Sequence, residues 1–456
     1  MTSLDYDAFL ATKTHLGGNH GFAPTFTPSF LFPFQQSLVD WSVRKGRAAI
    51  FADCGLGKTA MQLVWAQNVV EMTNKPVLIL TPLSVASQTK REGEKFGVES
   101  TVSRDGSVSG KIVITNYHQL PKFNPHDFCG VVCDESSILK NPDGVIKGYI
   151  TEFAKKLPYR LLCTATAAPN DYIELGTSSE ALGYLGFMDM LSMFFKKADE
   201  FGSRKDEFRS GKYRFRGHSE RDFWRWICSW ARAVRKPSDI GFSNDGFALP
   251  ELKTIEHIVH ARTKNENFLF DMPAVGLAEQ RAERKRSIQE RCELAASLIN
   301  GTGKPAVAWC HLNPEGKLLE KLIDGAVEVS GSDCDEYKEE TFDAFALGQI
   351  RVLVSKPIIA GFGLNWQHCA HQTFFPSHSF EQWYQAIRRS WRFGQKNAVT
   401  IDVIASEGER GVLSSMKRKA QQSEEMFKKL VSLITNEMQI EKRNNFTKIQ
   451  SIPTWL

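Results

Sequence analysis

The chain has 456 residues, 42% apolar, 24% charged and 11% aromatic, enough to bury large cores and too apolar for a disordered tail. Its 57 basic and 52 acidic residues leave a net charge of +5, too small a surplus to demand an anionic partner by itself. No apolar run approaches the ~18 residues of a membrane span, the acid-bearing start MTSLDYDAFLATK is unlike an export signal, and nine scattered cysteines read as free thiols of a reducing cytosol.

Up to residue 175, short apolar runs alternate with longer mixed stretches, the pattern of a parallel sheet with crossover helices. The predicted strands are Ala48 to Ala52, Val77 to Leu80, Lys111 to Thr115, Val131 to Cys133 and Arg160 to Cys163, and ligands are expected at their carboxyl ends. From 176 to 250 the chain is rich in Phe, Trp and Arg and lacks strand alternation, which predicts a mainly helical insertion. A second series then runs through Ala306 to Cys310, Val327 to Val329, Ile350 to Val354, Thr373 to Phe375 and Thr400 to Ile404. Leu413, Met416, Phe427, Leu430, Val431 and Ile434 recur at helical spacing and predict an amphipathic helix on the second domain. The predicted organisation is an N-terminal segment (1–29), a first α/β domain (30–175), the insertion (176–250), a second α/β domain (251–410) and a C-terminal helix and tail (411–456).

The chemistry begins at Ala49-Ile50-Phe51-Ala52-Asp53-Cys54-Gly55-Leu56-Gly57-Lys58-Thr59, a strand, a glycine turn and a helix start. Such a turn aims backbone N–H groups and the positive end of a helix at phosphate. Gly55 and Gly57 free the turn, Lys58 reaches the β and γ phosphates, and Thr59 offers a hydroxyl to Mg²⁺. Hydrolysis also needs a carboxylate for the metal and a group that activates water. Val131-Val132-Cys133-Asp134-Glu135 supplies both, with Asp134 toward Mg²⁺ and Glu135 toward the water.

In this order the motifs resemble those of superfamily two helicases, and most closely the Swi/Snf-like branch of DNA translocases. Asp53-Cys54-Gly55-Leu56-Gly57-Lys58-Thr59 is similar to that branch's Asp-Glu-Met-Gly-Leu-Gly-Lys-Thr, and Leu31-Phe32-Pro33-Phe34-Gln35 to its Leu-Arg-Pro-Tyr-Gln, which implies that Gln35 reads the adenine. Thr81-Pro82-Leu83-Ser84-Val85 and Thr115-Asn116-Tyr117 resemble its nucleic-acid backbone motifs, implying contacts from Thr81, Pro82, Thr115 and Asn116. Asp134-Glu135-Ser136-Ser137 looks like the Asp-Glu-x-His box, and Thr164-Ala165-Thr166 like the motif that couples hydrolysis to domain movement. In the second domain, Gly361-Phe362-Gly363-Leu364-Asn365 resembles Gly-Gly-Leu-Gly-Leu-Asn, which implies nucleotide contact from Gly363 and nucleic-acid contact from Asn365. Gln385-Ala386-Ile387-Arg388-Arg389-Ser390-Trp391-Arg392 looks like Gln-Ala-x-Gly-Arg-x-His-Arg, which makes Arg389 and Arg392 the catalytic arginines. The resemblance spans about residues 30–435. It implies two tandem RecA-like α/β domains that bind ATP and Mg²⁺ in the cleft between them, and a minimal member from a phage or bacterium.

Between Lys196 and Lys236, 13 basic residues face 6 acidic ones, a local surplus of seven that exceeds that of the whole chain. Phe223, Ile227, Trp230 and Val234 recur at helical spacing and are expected in the core, whereas Lys212-Tyr213-Arg214-Phe215-Arg216 alternates base and aromatic. Lys212, Arg214 and Arg216 are therefore candidates for phosphate contact. His126, Cys129 and Cys133, and His368, Cys369 and His371, are close in sequence but lack zinc-site spacing. The expected function is an ATP hydrolase acting as a double-stranded DNA translocase in a bacterial or virus-infected cytosol, with no membrane partner. A strand-separating helicase on DNA or RNA is the nearest alternative, with single-stranded DNA or RNA as the alternative partner, and a non-catalytic nucleic-acid scaffold the alternative of another class.

Overall fold

Five strands dense in Val, Ile, Leu and Ala form the frame of the first half, and they are buried on both faces as all-parallel sheets require. The computed structural model describes residues 17–82, 85–168, 171–197, 213–261, 277–360 and 364–448. These divide into one unit that runs through Asn244 and resumes at Glu425, and a second, Asp245–Glu424.

In the first unit the strands are β1 (Arg47–Ala52), β2 (Val77–Thr81), β3 (Thr101–Val102), β4 (Ile112–Asn116), β5 (Gly130–Asp134), β6 (Tyr159–Cys163), β7 (Phe195–Lys197), β8 (Tyr213–Phe215) and β9 (Ala231–Val234). Seven of them form one parallel sheet in the order β3-β4-β2-β5-β6-β1-β9. The order places β5, β6 and β1 side by side, so the turns that leave their carboxyl ends share one edge.

The segment 176–250 does contain the helices Phe187–Phe194 and Ser219–Trp230, and Phe223, Ile227, Trp230 and Val234 are buried in the first core. It also holds three strands that its sequence does not predict. Ala231–Val234 continues the main sheet beside β1, with Ala49 opposite Ala231 and Ala52 opposite Val234. It follows a tryptophan helix without a turn residue, so its four residues carry no boundary signal of their own. Strands β7 and β8 form an antiparallel pair in which Phe195 stacks on Phe215 at 4.6 Å between ring centroids. The alternation of base and aromatic at 213–215 is thus the period of a strand, with Tyr213 and Phe215 packed on the core and Arg214 between them.

The second unit carries β10 (Leu252–Val259), β11 (Ala306–Trp309), β12 (Ala326–Val329), β13 (Val352–Ser355), β14 (His371–Phe374) and β15 (Val399–Ser406), a parallel sheet in the order β10-β15-β14-β11-β13-β12. Strand β10 escapes prediction because it is an edge strand with mostly exposed side chains. It is tied inward by Asp402 on β15, whose two carboxylate oxygens each lie 2.7 Å from an imidazole, of His257 on β10 and of His371 on β14. The two imidazoles hold the Asp402 carboxyl below its usual range against a burial that pushes it up.

The terminal helix is Arg410–Lys448. Its Leu413 and Met416 belong to a core of the second unit, as predicted, but Leu430, Val431 and Ile434 belong to that of the first. The helical period predicts a buried stripe without naming what covers it. Among the described residues no helix is long and apolar enough to cross a membrane.

Candidate functional site

The predicted phosphate loop is the turn between β1 and the helix Lys58–Thr73. Gly55 and Gly57 have φ of 85° and 74°, the left-handed region that side-chain-bearing residues avoid. A Cβ at Gly57 would also run into the Gln35 amide. Gln35 is buried on the helix Pro33–Lys45, where its Oε1 accepts from Phe32 N–H (2.9 Å) and its Nε2 donates to the Leu56 carbonyl (2.9 Å). The proposed adenine reader therefore grips the phosphate loop itself. Lys58 Nζ folds back onto the Ala52 carbonyl at 3.0 Å and lies 3.5 Å from that of Asp53. A charged amine held only by loop carbonyls has stronger partners to gain in an arriving phosphate.

Asp134 ends β5, and Glu135 follows it in a left-handed conformation, φ 54° and ψ 53°. For a side-chain-bearing residue that conformation costs about 1–3 kcal/mol and persists where surrounding structure enforces it. Here Thr164, leaving the end of β6, donates its hydroxyl to Glu135 Oε2 at 3.2 Å and accepts from Thr166 N–H at 3.0 Å. The structure thus connects the predicted coupling motif directly to the predicted catalytic carboxylate. Asp134 Oδ1 accepts from Gln62 Nε2 at 2.7 Å, and its backbone carbonyl accepts from the Tyr117 hydroxyl. Burial, and next the neighbouring Glu135, push the Asp134 carboxyl up to about 6.

Three features here are not predicted from the sequence. Gln62 interrupts an otherwise apolar helical run one turn beyond Lys58, and that interruption is a usable signal. Tyr117 reads in the sequence only as part of a backbone motif. The strain at Glu135 leaves no trace, because nothing in the sequence marks positive φ outside glycine and asparagine.

Mg²⁺ takes hard oxygen ligands and keeps much of its shell in water and phosphate. The Thr59 hydroxyl and Asp134 Oδ2 fit this requirement, since among the described residues neither has a hydrogen-bond partner, Thr59 opening the helix after β1 and Asp134 ending β5, two strands away in the sheet. No group of three His, Cys, Asp or Glu side chains among the described residues forms a closed metal site.

In the second unit Arg389 is buried, with Nε to the Gln385 carbonyl (2.9 Å), Nη2 to Gln385 Oε1 (3.0 Å) and Nη1 to the Leu364 carbonyl (2.9 Å). Arg392 Nη1 meets the same Leu364 carbonyl at 2.9 Å and remains half-buried. Both arginines follow the helix Phe380–Ile387, where i to i+3 bonds tighten the chain at Arg389 and Ser390. Arg388, which stands where the resembled motif has glycine, packs over the rings of Trp391 (4.4 Å) and Tyr384 (5.1 Å).

Strand pairing brings the nucleic-acid candidates of the first unit together, with Leu80 opposite Thr115 and Thr81 opposite Asn116. Thr81 and Thr115 are fully buried, Pro82 is half-buried, and Asn116 caps the following turn by accepting from His118 and Gln119 N–H. Asn365 is exposed, Arg214 half-buried, and Arg216 exposed with Nε on the Phe195 carbonyl at 2.8 Å. Gly363 and Lys212 lie outside the described residues, as do Leu83, Ser84, Gly361 and Phe362.

Two parallel sheets in tandem, the first with a glycine turn and Lys58 after β1 and an acidic pair at the end of β5, form two tandem RecA-like α/β domains. Among solved structures the chain is similar to Saccharomyces cerevisiae Dbp5 bound to RNA and ADP BeF3, with a TM-score of 0.53 at 12% identity, over 88% of this chain and 98% of that one. No protein-family model and no curated protein matches the sequence. The likeness shows the fold.

Proposed function

We propose that the chain is an ATP-dependent motor of the Swi/Snf-like kind that moves on double-stranded DNA. The observation that carries this reading is the convergence of Lys58, Thr59, Asp134, Glu135 and Thr164 at the carboxyl ends of three adjacent strands, β1, β5 and β6. In this reading Gln35 receives the adenine while holding Leu56, so base recognition is relayed to the loop that cradles the phosphates. Lys58 leaves the Ala52 carbonyl for the β and γ phosphates. Bound Mg²⁺, held by Thr59 and Asp134, would neutralise charge on the phosphates. Glu135 accepts the proton of the attacking water, whose oxygen bonds to the γ phosphorus as the bond to ADP breaks. Thr164, bonded to Glu135, senses the change in charge there. Arg392, a half-buried side chain, is the arginine that this reading assigns to the developing γ-phosphate charge, and Gly363 is the nucleotide contact that the resemblance implies. Thr81, Pro82, Thr115, Asn116, Asn365, Lys212, Arg214 and Arg216 form the path for the DNA backbone, which carries affinity without sequence information.

Triplex displacement separates movement along duplex from unwinding. The protein with ATP is expected to strip a third strand from a duplex and to leave a labelled fork paired. Unwinding of the fork without triplex displacement would favour the strand-separating alternative. In the same assay Arg214→Ala with Arg216→Ala should raise the DNA concentration needed for half-maximal rate and reduce the salt slope by roughly one for each phosphate that the variant no longer neutralises.

A further inference from the structure

The helix that follows the phosphate loop buries two amide side chains completely, Asn68 and Gln62. Asn68 uses both ends of its amide. Its Oδ1 accepts from Thr25 and Phe26 N–H, each at 2.9 Å, and its Nδ2 donates to the Phe26 and Val64 carbonyls, each at 2.8 Å. That is the pattern of a group kept for packing, with every polar atom satisfied. Gln62 differs. Its Nε2 donates to Asp134 Oδ1 at 2.7 Å, and beyond that its amide meets the weak donor of the buried Cys163 thiol, with no stronger partner for Oε1 among the described residues.

A buried acceptor with no strong donor costs up to about 1–3 kcal/mol. Leu or Met would fill a similar volume without that cost. What the glutamine supplies and those residues cannot is one N–H aimed at one carboxylate oxygen. The donor is mounted four residues beyond Lys58, on the same helical face, so loop and carboxylate are tied through a single side chain. Because Gln62 occupies Oδ1 and no described donor reaches Oδ2, the carboxylate has one committed oxygen and one open oxygen.

We propose that Gln62 is a positioning residue that locks the Asp134 carboxylate with Oδ2 presented to the shell of Mg²⁺, so that the metal is bound tightly only when the phosphate-loop helix is in place. The proposal rests on the reading of this loop as a nucleotide site. Hydrogen bonds to a metal-binding group from behind typically change metal affinity by roughly 10–100-fold.

The test uses the full chain, a fluorescent ADP analogue (mant-ADP) and MgCl₂. Affinity for mant-ADP is measured in EDTA and then across a MgCl₂ titration, for the wild type, Gln62→Leu and Gln62→Glu, with folding followed by thermal melting. Expected is an EDTA affinity close to that of the wild type in both variants, and a Mg²⁺ half-saturation raised roughly tenfold or more. In ATPase assays at saturating Mg²⁺ the KM for ATP should then stay near the wild-type value. Gln62→Glu matches the wild type in size and keeps the test decisive should Gln62→Leu fail to fold. An unchanged Mg²⁺ half-saturation in a folded variant overturns the proposal and leaves the nucleotide site standing. Absence of mant-ADP binding to the wild type itself overturns the nucleotide site and the proposal together.

Discussion

Replacing Glu135 with Gln is expected to abolish nearly all ATP hydrolysis, a loss of roughly 10²–10⁴-fold or about 3–5 kcal/mol of transition-state stabilisation, while nucleotide affinity is retained. The geometry makes this variant informative. Thr164 Oγ1 donates to Glu135 Oε2, and an amide oxygen accepts the same bond, so shape and hydrogen bonding survive while the charge is lost. Gly55, Gly57 and Lys58, the proposed phosphate-binding groups, lie on a different turn and are untouched. Single-turnover hydrolysis together with equilibrium binding of an ATP analogue gives the answer. Hydrolysis at the original rate would remove Glu135 from the chemistry and leave its strained backbone without a catalytic reason.

The two arginines of the second unit are expected to fail in different ways. Arg389 is buried and satisfies the Gln385 and Leu364 carbonyls and the Gln385 amide oxygen, so Arg389→Ala leaves several buried acceptors without their donor. A loss of about 3 kcal/mol or more in stability is expected, on the scale of hydrogen bonds to a charged group. Arg392 is half-buried, and its Nη1 donates to the Leu364 carbonyl that Arg389 also meets. Arg392→Ala should keep the melting temperature close to that of the wild type and lower maximal nucleic-acid-stimulated turnover by roughly 10²-fold or more, with a much smaller change in ATP affinity. Melting curves and ATPase titrations on the two variants check this. Equal destabilisation by both would make Arg392 a second packing residue and move the catalytic cation elsewhere.

The central strands of both sheets are legible because each is a short run of Val, Ile, Leu, Ala or Cys that ends at a turn, which is what burial on both faces requires. The edge strands β3, β9 and β10 are not, although β12 at the other edge of the second sheet is. Strand β10 presents Lys253, Thr254 and Glu256 to solvent, and β9 hides behind a helix rich in tryptophan. The phosphate loop is legible for the opposite reason, since its glycines and Lys58-Thr59 answer a local geometric need and require no knowledge of tertiary contacts. Contacts that cross the sheet edge have no such local mark. Gln62 finds Asp134 across 72 positions and Thr164 finds Glu135 across 29, distances that only the strand order resolves. At 213–215 the alternation of Tyr, Arg and Phe is visible, but its first consequence is the packing of two rings on a core, with any phosphate contact left to the arginines.

The claim that ties these observations together is that ATP turnover is driven by duplex DNA. Its most direct test is the steady-state ATPase rate of the full chain with no nucleic acid, with duplex DNA, with single-stranded DNA and with RNA, at matched nucleotide concentration and salt. The rate is expected to be low alone, to rise most with duplex DNA, and to vanish in Glu135→Gln under every condition. A rate stimulated by RNA and indifferent to duplex DNA, or one unaffected by any nucleic acid, would contradict it.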